Sequence, residues 1–297
     1  MRFNSSFIAL LAVGLVACGS AEDVSEETGA FEPTDFSTVV PSTESLEVEI
    51  EEEDVEPEST HPSSFYEQAQ EVAARVNQAR QTLQSHIDEL KASVEPERLE
   101  IAGLDCAVWE ADRARFYAKL SSCRTDIRGL RYQFVLEGRP LDSESDDDFV
   151  VLAAGRGRFL NPSRIESSVA GQIGYDFDAA RLLFGNDGPT GRIAVGYREL
   201  GSVRQLRIAV DEVQWNAETE VRSAFHNYNR VIGRGGKLAY SRYSDFLTTD
   251  EDGTFVYGQD GLREAGRVSL AWARARAARA TATVCGGTLG EECRRVV

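Results

Sequence analysis

The chain has 297 residues, with 49 Asp and Glu against 32 Lys and Arg, a formal net charge of −17 and a hydrophobic fraction of 42%. The hydrophobic fraction is ample for a packed core, and no basic face with interleaved aromatics appears, which excludes a nucleic-acid partner. The charge is unevenly spread: residues 1–62 hold fifteen acids and one base, so residues 63–297 carry 34 acids against 31 bases and are nearly neutral.

The chain opens with one positive charge, Arg2, an apolar run from Phe7 to Val16, and small residues around Cys18. Such a run falls well short of the ~20 apolar residues that cross a bilayer and reads as a secretion signal. Leu15, Val16, Ala17 and Cys18 resemble the lipobox of bacterial lipoproteins. That resemblance implies that residues 1–17 are a signal peptide that is cut away, and that Cys18 receives a diacylglycerol thioether and an acylated amino terminus. Cys18 then has no free thiol, and several acyl chains, at about 0.8 kcal/mol per buried methylene, hold the protein permanently on a membrane. In lipoproteins an Asp after the lipidated cysteine favours retention in the inner membrane. Gly19 and Ser20 stand there instead, which resembles the outer-membrane default.

From Ala21 to His61 there are fifteen Asp and Glu and no Lys or Arg. Low hydrophobicity with dense like charge cannot offset chain entropy, so residues 18–62 are expected to form a lipidated, disordered acidic tether. A flexible chain of forty-odd residues reaches roughly 35 to 40 Å, and self-repulsion extends it.

Beyond "STHPSS", Phe65, Ala69, Val72, Val76, Ala79, Leu83, Ile87, Leu90 and Val94 recur at helical steps, and Pro96 closes the pattern. Ser63 or Ser64 can cap this helix, with Glu67 completing a capping box with Ser64. The slip in spacing at Leu83 to Ile87 and the alanines on the apolar face favour a helix laid on a sheet over a coiled-coil stalk. From residue 104 onward, short alternating runs such as "CAVWEA", "LRYQFVLEG", "GRIAVGY" and "EAGRVSLAWARAR" are separated by Gly, Asp, Asn and Pro breaks. No second helical pattern of convincing length appears. The expected fold is mainly β in the α+β class, a single domain over 63–297. One long N-terminal helix packs on a curved antiparallel meander, a half-barrel or barrel of about ten strands. The stretch from Trp272 through "CGGTLGEEC" resembles the end of uncharacterised Gram-negative lipoproteins with a curved antiparallel sheet, a family that brings no activity with it.

Cys106, Cys123, Cys285 and Cys293 form an even set, at separations of 17 and 8. In an exported protein these spacings suggest two local disulfides, 106 with 123 and 285 with 293. Zinc binding by four cysteines needs tighter pairs.

The chemistry motifs are sparse. G-x-S-x-G, S-x-x-K and H-E-x-x-H are missing, and "GRGGK" at 233–237 lacks the phosphate-loop spacing and reads as a hairpin turn. The three histidines are His61 in the tether, His86 at the edge of the helix's apolar face and His226 in a strand, none of them in a catalytic pattern. Two acidic loops offer weak calcium candidates, Asp146 with Asp148 and Asp250 with Asp252, neither in an EF-hand pattern. Asp211 and Glu212, adjacent on one strand, should point to opposite faces and so make no catalytic carboxylate pair. Arg274 and Arg276 should share a strand face with Trp272 and offer an anion contact. No cofactor is indicated. The reading is an outer-membrane lipoprotein, a non-enzymatic binding or structural module whose partner is an envelope component or protein. The alternative is a carrier of lipid or another hydrophobic ligand in the concavity of the sheet, and a hydrolase is the least supported.

Overall fold

The computed structural model describes residues 39–50 and 64–296, apart from 127–129, 161–167, 186–187, 215–221, 233, 245–246, 250–254, 258–263, 274–275 and 290–292. Residues 1–38, with Cys18 and His61's neighbours in 51–63, lie outside the described part.

Helix α1 spans Ser64–Ser93 and is closed by Val94, whose N–H reaches the Leu90 carbonyl, with Pro96 beyond. Its buried stripe holds Val72, Val76, Leu83, Ile87 and Leu90, and also two polar residues, Arg80 and Gln84. Within the described fold α1 is not N-terminal, because residues 39–50 precede it and are themselves part of the core.

Fifteen strands follow among the described residues: β1 Glu97–Ile101, β2 Leu104–Asp112, β3 Phe116–Arg124, β4 Arg131–Pro140, β5 Val150–Phe159, β6 Ser168–Asp176, β7 Thr190–Leu200 and β8 Val203–Gln214. The remainder are β9 Arg222–Val231, β10 Gly235–Ser244, β11 Leu247–Thr249, β12 Phe255–Tyr257, β13 Glu264–Ala273, β14 Arg276–Gly286 and β15 Cys293–Val296. All but β11 and β12, which pair with each other, join one antiparallel sheet in sequence order. The sheet is open: β1 and β15 are its edges, and the barrel closure expected as one outcome does not form. Short hairpins make this meander. At Ala102 and Gly103 both φ values are positive, the geometry that lets a two-residue turn follow the twist of its strands.

Strands β1, β11 and β15 add to the expected runs, being short or with little alternation; all five residues of β1 are exposed. A second helix, α2 at Phe177–Phe184, replaces the end of the strand expected through "YDFD". Asp176 caps it by accepting from the Ala179 N–H, and Gly185 ends it at φ +81°. The strand expected to run on from Trp272 through Arg276 stops at Ala273, and Arg276 opens β14 opposite Ala273.

The cysteines pair as expected. Cys106 and Cys123 face each other across β2 and β3, and Cys285 and Cys293 across β14 and β15.

One face of the sheet, α1, α2 and residues 39–50 share one hydrophobic core. The tether expected to run to residue 62 is therefore interrupted. Val39, Val40, Leu46 and Val48 are buried, with Leu46 fully so. Burying a Val or Leu side chain is worth about 1.5 to 3 kcal/mol, enough to dock a short segment despite its acids. None of the described helices is long and apolar enough to cross a membrane.

Candidate functional site

Two features collect polar or concave chemistry: the groove holding residues 39–50, and a cavity at the end of α1.

The groove is built by α1 on one side and β5 to β9 on the other, and most of its hydrogen bonds go to the strap's main chain. From α1, Gln84 Nε2 donates to the Pro41 carbonyl at 2.5 Å, Arg80 to that of Thr43 at 3.0 Å, and Lys91 Nζ to that of Val40 at 2.9 Å. The Thr43 N–H donates to Asp88 at 2.8 Å. Asn77 holds both main-chain groups of Val48, accepting from its N–H and donating to its carbonyl, each at 3.0 Å. From the sheet, Tyr197 on β7 donates to the Val39 carbonyl at 2.9 Å and Arg204 on β8 to that of Glu44 at 2.7 Å. Tyr228 on β9 accepts from the Glu49 N–H and donates to its carbonyl. Arg230 forms an ion pair with the Glu49 side chain.

The electrostatics of the groove follow from the burial of its side chains. Burial pushes the Arg80 and Lys91 pKa values down and those of Tyr175 and Tyr197 up. Both tyrosines thus stay protonated donors, Tyr175 to Gln84 Oε1 and Tyr197 to the strap. A buried polar group stripped of its partner costs about 1 to 3 kcal/mol, so this set of donors suits only a groove that is filled.

The cavity has a volume of about 340 Å³ and a mostly apolar wall that includes His86, Phe116, Phe177, Ala180 and Phe184, with Arg115 and Arg181 also lining it. His86 meets Phe116 edge-on at 5.0 Å and stacks on Phe184 at 5.6 Å. Its Nδ1 is buried without a hydrogen-bond partner among the described residues. Burial, helped by the Arg113 charge, holds the His86 pKa below the ordinary histidine value. The linkage has a definite sign. The unfolded chain takes up a proton near pH 6.5 that folded His86 resists, so stability present above that pH is lost as pH falls through it. Urea midpoints measured from pH 7.5 to 5 should fall for the wild type and fall less for His86→Phe. Parallel profiles would rule out this linkage.

The other sequence candidates fare differently. Asp146 and Asp148 sit on an exposed turn and are engaged locally, Asp146 with Arg139 at 3.6 Å and Asp148 as acceptor from Ser143. Asp250 and Asp252 lie outside the described residues, and among those that are described no group of His, Cys, Asp and Glu is placed to hold a metal ion. Arg274 also lies outside them; Arg276 opens β14 opposite Ala273 and is not on Trp272's strand. Asp211 and Glu212 are both exposed instead of pointing to opposite faces. The register shifts between Val210 and Val213, and Glu212 takes φ 50°, so a bulge breaks the alternation. His226 is buried beside Tyr240. The "GRGGK" segment lies in the β9–β10 hairpin, where Arg234 N–H reaches the Val231 carbonyl.

Sequence reasoning missed the groove residues, although Arg80 and Gln84 stand one helical turn apart on the apolar stripe, four and eight residues after Val76. That position is the signal of a buried polar network. Compared with known protein families, characterised proteins and solved structures, the chain matches none.

Proposed function

We propose that the chain is a lipid-anchored envelope protein, held at the outer membrane through Cys18, whose β domain serves as a non-enzymatic binding or structural module. The observation that supports this reading is the docking of residues 39–50 into the core. The acidic segment after Cys18 enters the domain at Val39, so tension on an anchored N terminus is borne by buried side chains and main-chain hydrogen bonds. The free tether is then about 20 residues, with a reach of roughly 22 to 27 Å, shorter than a tether running to residue 62. In this reading the sheet is curled as a half-barrel around α1. The helix touches β2 and β3 near one edge and β13 and β14 near the other.

The test is Cys18→Ser. The wild-type chain expressed in a Gram-negative host should fractionate with the outer membrane and give an acylated N-terminal peptide by mass spectrometry. The variant should lose both properties while keeping its fold by circular dichroism. An unmodified Cys18 in the wild-type membrane fraction removes the anchor from this account.

The apolar cavity beside His86 supports a second reading, a carrier of a small hydrophobic ligand. The sheet's covered face is occupied by α1 and the strap, so the ligand site in this reading is the 340 Å³ cavity. That volume is at the small end for ligand pockets. An uncharged apolar probe such as N-phenyl-1-naphthylamine should bind saturably to the wild type and not to Ala180→Trp, which fills the cavity. Equal binding by both would exclude this site.

A further inference from the structure

We infer that the groove between α1 and β5 to β9 is a binding site for an acidic peptide that takes the strap's own conformation, and that residues 39–50 of one chain can be exchanged for the same segment of a second copy. The argument starts from what the groove recognises. Its donors and acceptors reach main-chain groups at Val39, Val40, Pro41, Thr43, Glu44, Val48 and Glu49. Five strap residues, Val39, Val40, Pro41, Leu46 and Val48, are buried. The strap turns once, in a 3-10 helix at Glu44–Leu46, between more open ends, so the site reads the backbone of a segment of that shape and takes its selectivity from a few apolar pockets. It also reads charge. Arg230 pairs with the Glu49 carboxylate, and Arg80, Lys91 and Arg204 place three more cations on the carbonyls of a strap that carries Glu44, Glu47 and Glu49.

Two further observations select a second copy as the occupant. Arg80 and Gln84 are almost completely buried, so vacating the groove strips the Thr43 and Pro41 carbonyls from a buried cation and a buried amide. Release therefore proceeds as replacement by a segment with the same backbone pattern, and the strap of another chain has it by construction. Residues 51–63 separate the strap from α1, and thirteen residues span up to about 45 Å when extended, long enough to place the strap in a neighbouring molecule. Confinement to a surface would raise the weight of that exchange relative to the intramolecular contact.

The test uses the full chain and a fluorescein-labelled synthetic peptide of residues 39–50. Leu46→Asp/Val48→Asp disables the chain's own strap; the labelled peptide should then bind saturably. It should bind the wild type about a hundredfold more weakly, because the tethered strap competes at high effective concentration. Adding Asn77→Ala to the strap-disabled chain should weaken peptide binding at least tenfold. Mixing the strap-disabled chain with a groove-disabled Asn77→Ala/Gln84→Ala chain should give a 1:1 complex by light scattering, whereas each alone stays monomeric. A folded strap-disabled chain that binds no peptide, or binds it equally with and without Asn77→Ala, overturns the site. Peptide binding without the 1:1 complex overturns the exchange between copies. If the strap-disabled chain does not fold, a wild-type chain with a protease site placed within 51–63 decides. After cleavage the N-terminal piece should stay bound and be displaced by excess peptide, and failure of displacement at any peptide concentration overturns the proposal.

Discussion

Leu46→Ala is expected to lower the stability of the whole domain by about 2 to 5 kcal/mol, the usual cost of truncating a fully buried leucine. Leu46 has no exposed surface, and it belongs to the same core cluster as Leu83 and Ile87 of α1 and Leu206 and Ile208 of β8. The segment carrying it lies among the most acidic stretches of the chain, so a tether in water predicts no effect at all. The two outcomes are therefore well separated. Urea unfolding followed through the buried Trp109 and Trp272 should show a lower midpoint with an unchanged slope, because the strap unfolds with the sheet and not ahead of it. Leu182→Ala, at a leucine that is 74% exposed on α2, supplies the control and should stay within about 0.5 kcal/mol of the wild type. A Leu46→Ala midpoint equal to that of the control would remove the strap from the cooperative core.

The strap shows why part of this fold was readable in the sequence and part was not. The meander was readable because long strands with one buried face alternate at period two: Ile193, Val195 and Tyr197 on β7, or Val268, Leu270 and Trp272 on β13. The local disulfides were readable because hairpin partners are near in sequence. Segments with both faces exposed, such as β1, carry no such alternation. Helix α2 is too short for a periodic signal, although its cap, Asp176, and its stop, Gly185, are both in place. Residues 39–50 were hidden by averaging. Over Ala21 to His61 the acids dominate, yet Val39, Val40, Leu46, Val48 and Ile50 fall within twelve residues. The cavity beside His86 is a different case. Its walls come from α1, β3, α2 and the residues around Pro189, and no spacing rule links these in one dimension.

The groove depends on what is absent from the strands beneath it as much as on what is present, and Gly171 is where that dependence is sharpest. Gly171 lies on β6 between Gly157 of β5 and Tyr197 of β7. A Cβ there would sit 2.3 Å from the Arg156 carbonyl oxygen and 2.4 Å from the Tyr197 hydroxyl. The first contact is with backbone, and the second is with the group that donates to Val39 at 2.9 Å. Neither can yield without moving the strap or the strand. Gly157 is equally constrained from the other side, since a Cβ there meets Val39 itself at 2.6 Å. Gly171→Ala should therefore cost about 2 to 4 kcal/mol, combining overpacking with the loss of the Tyr197 hydrogen bond. Gly188→Ala, with nothing within 4 Å of the new methyl, should cost under about 0.5 kcal/mol. A double-mutant cycle identifies the cause. Tyr197→Phe removes the hydroxyl that the new methyl strikes, so Gly171→Ala should cost at least 0.5 kcal/mol less, roughly, in that background than in the wild type. If the two costs add, the clash is with the strand backbone and the Tyr197 ring, whose Cζ would lie 2.6 Å away, and the hydroxyl that holds the strap has no part in it.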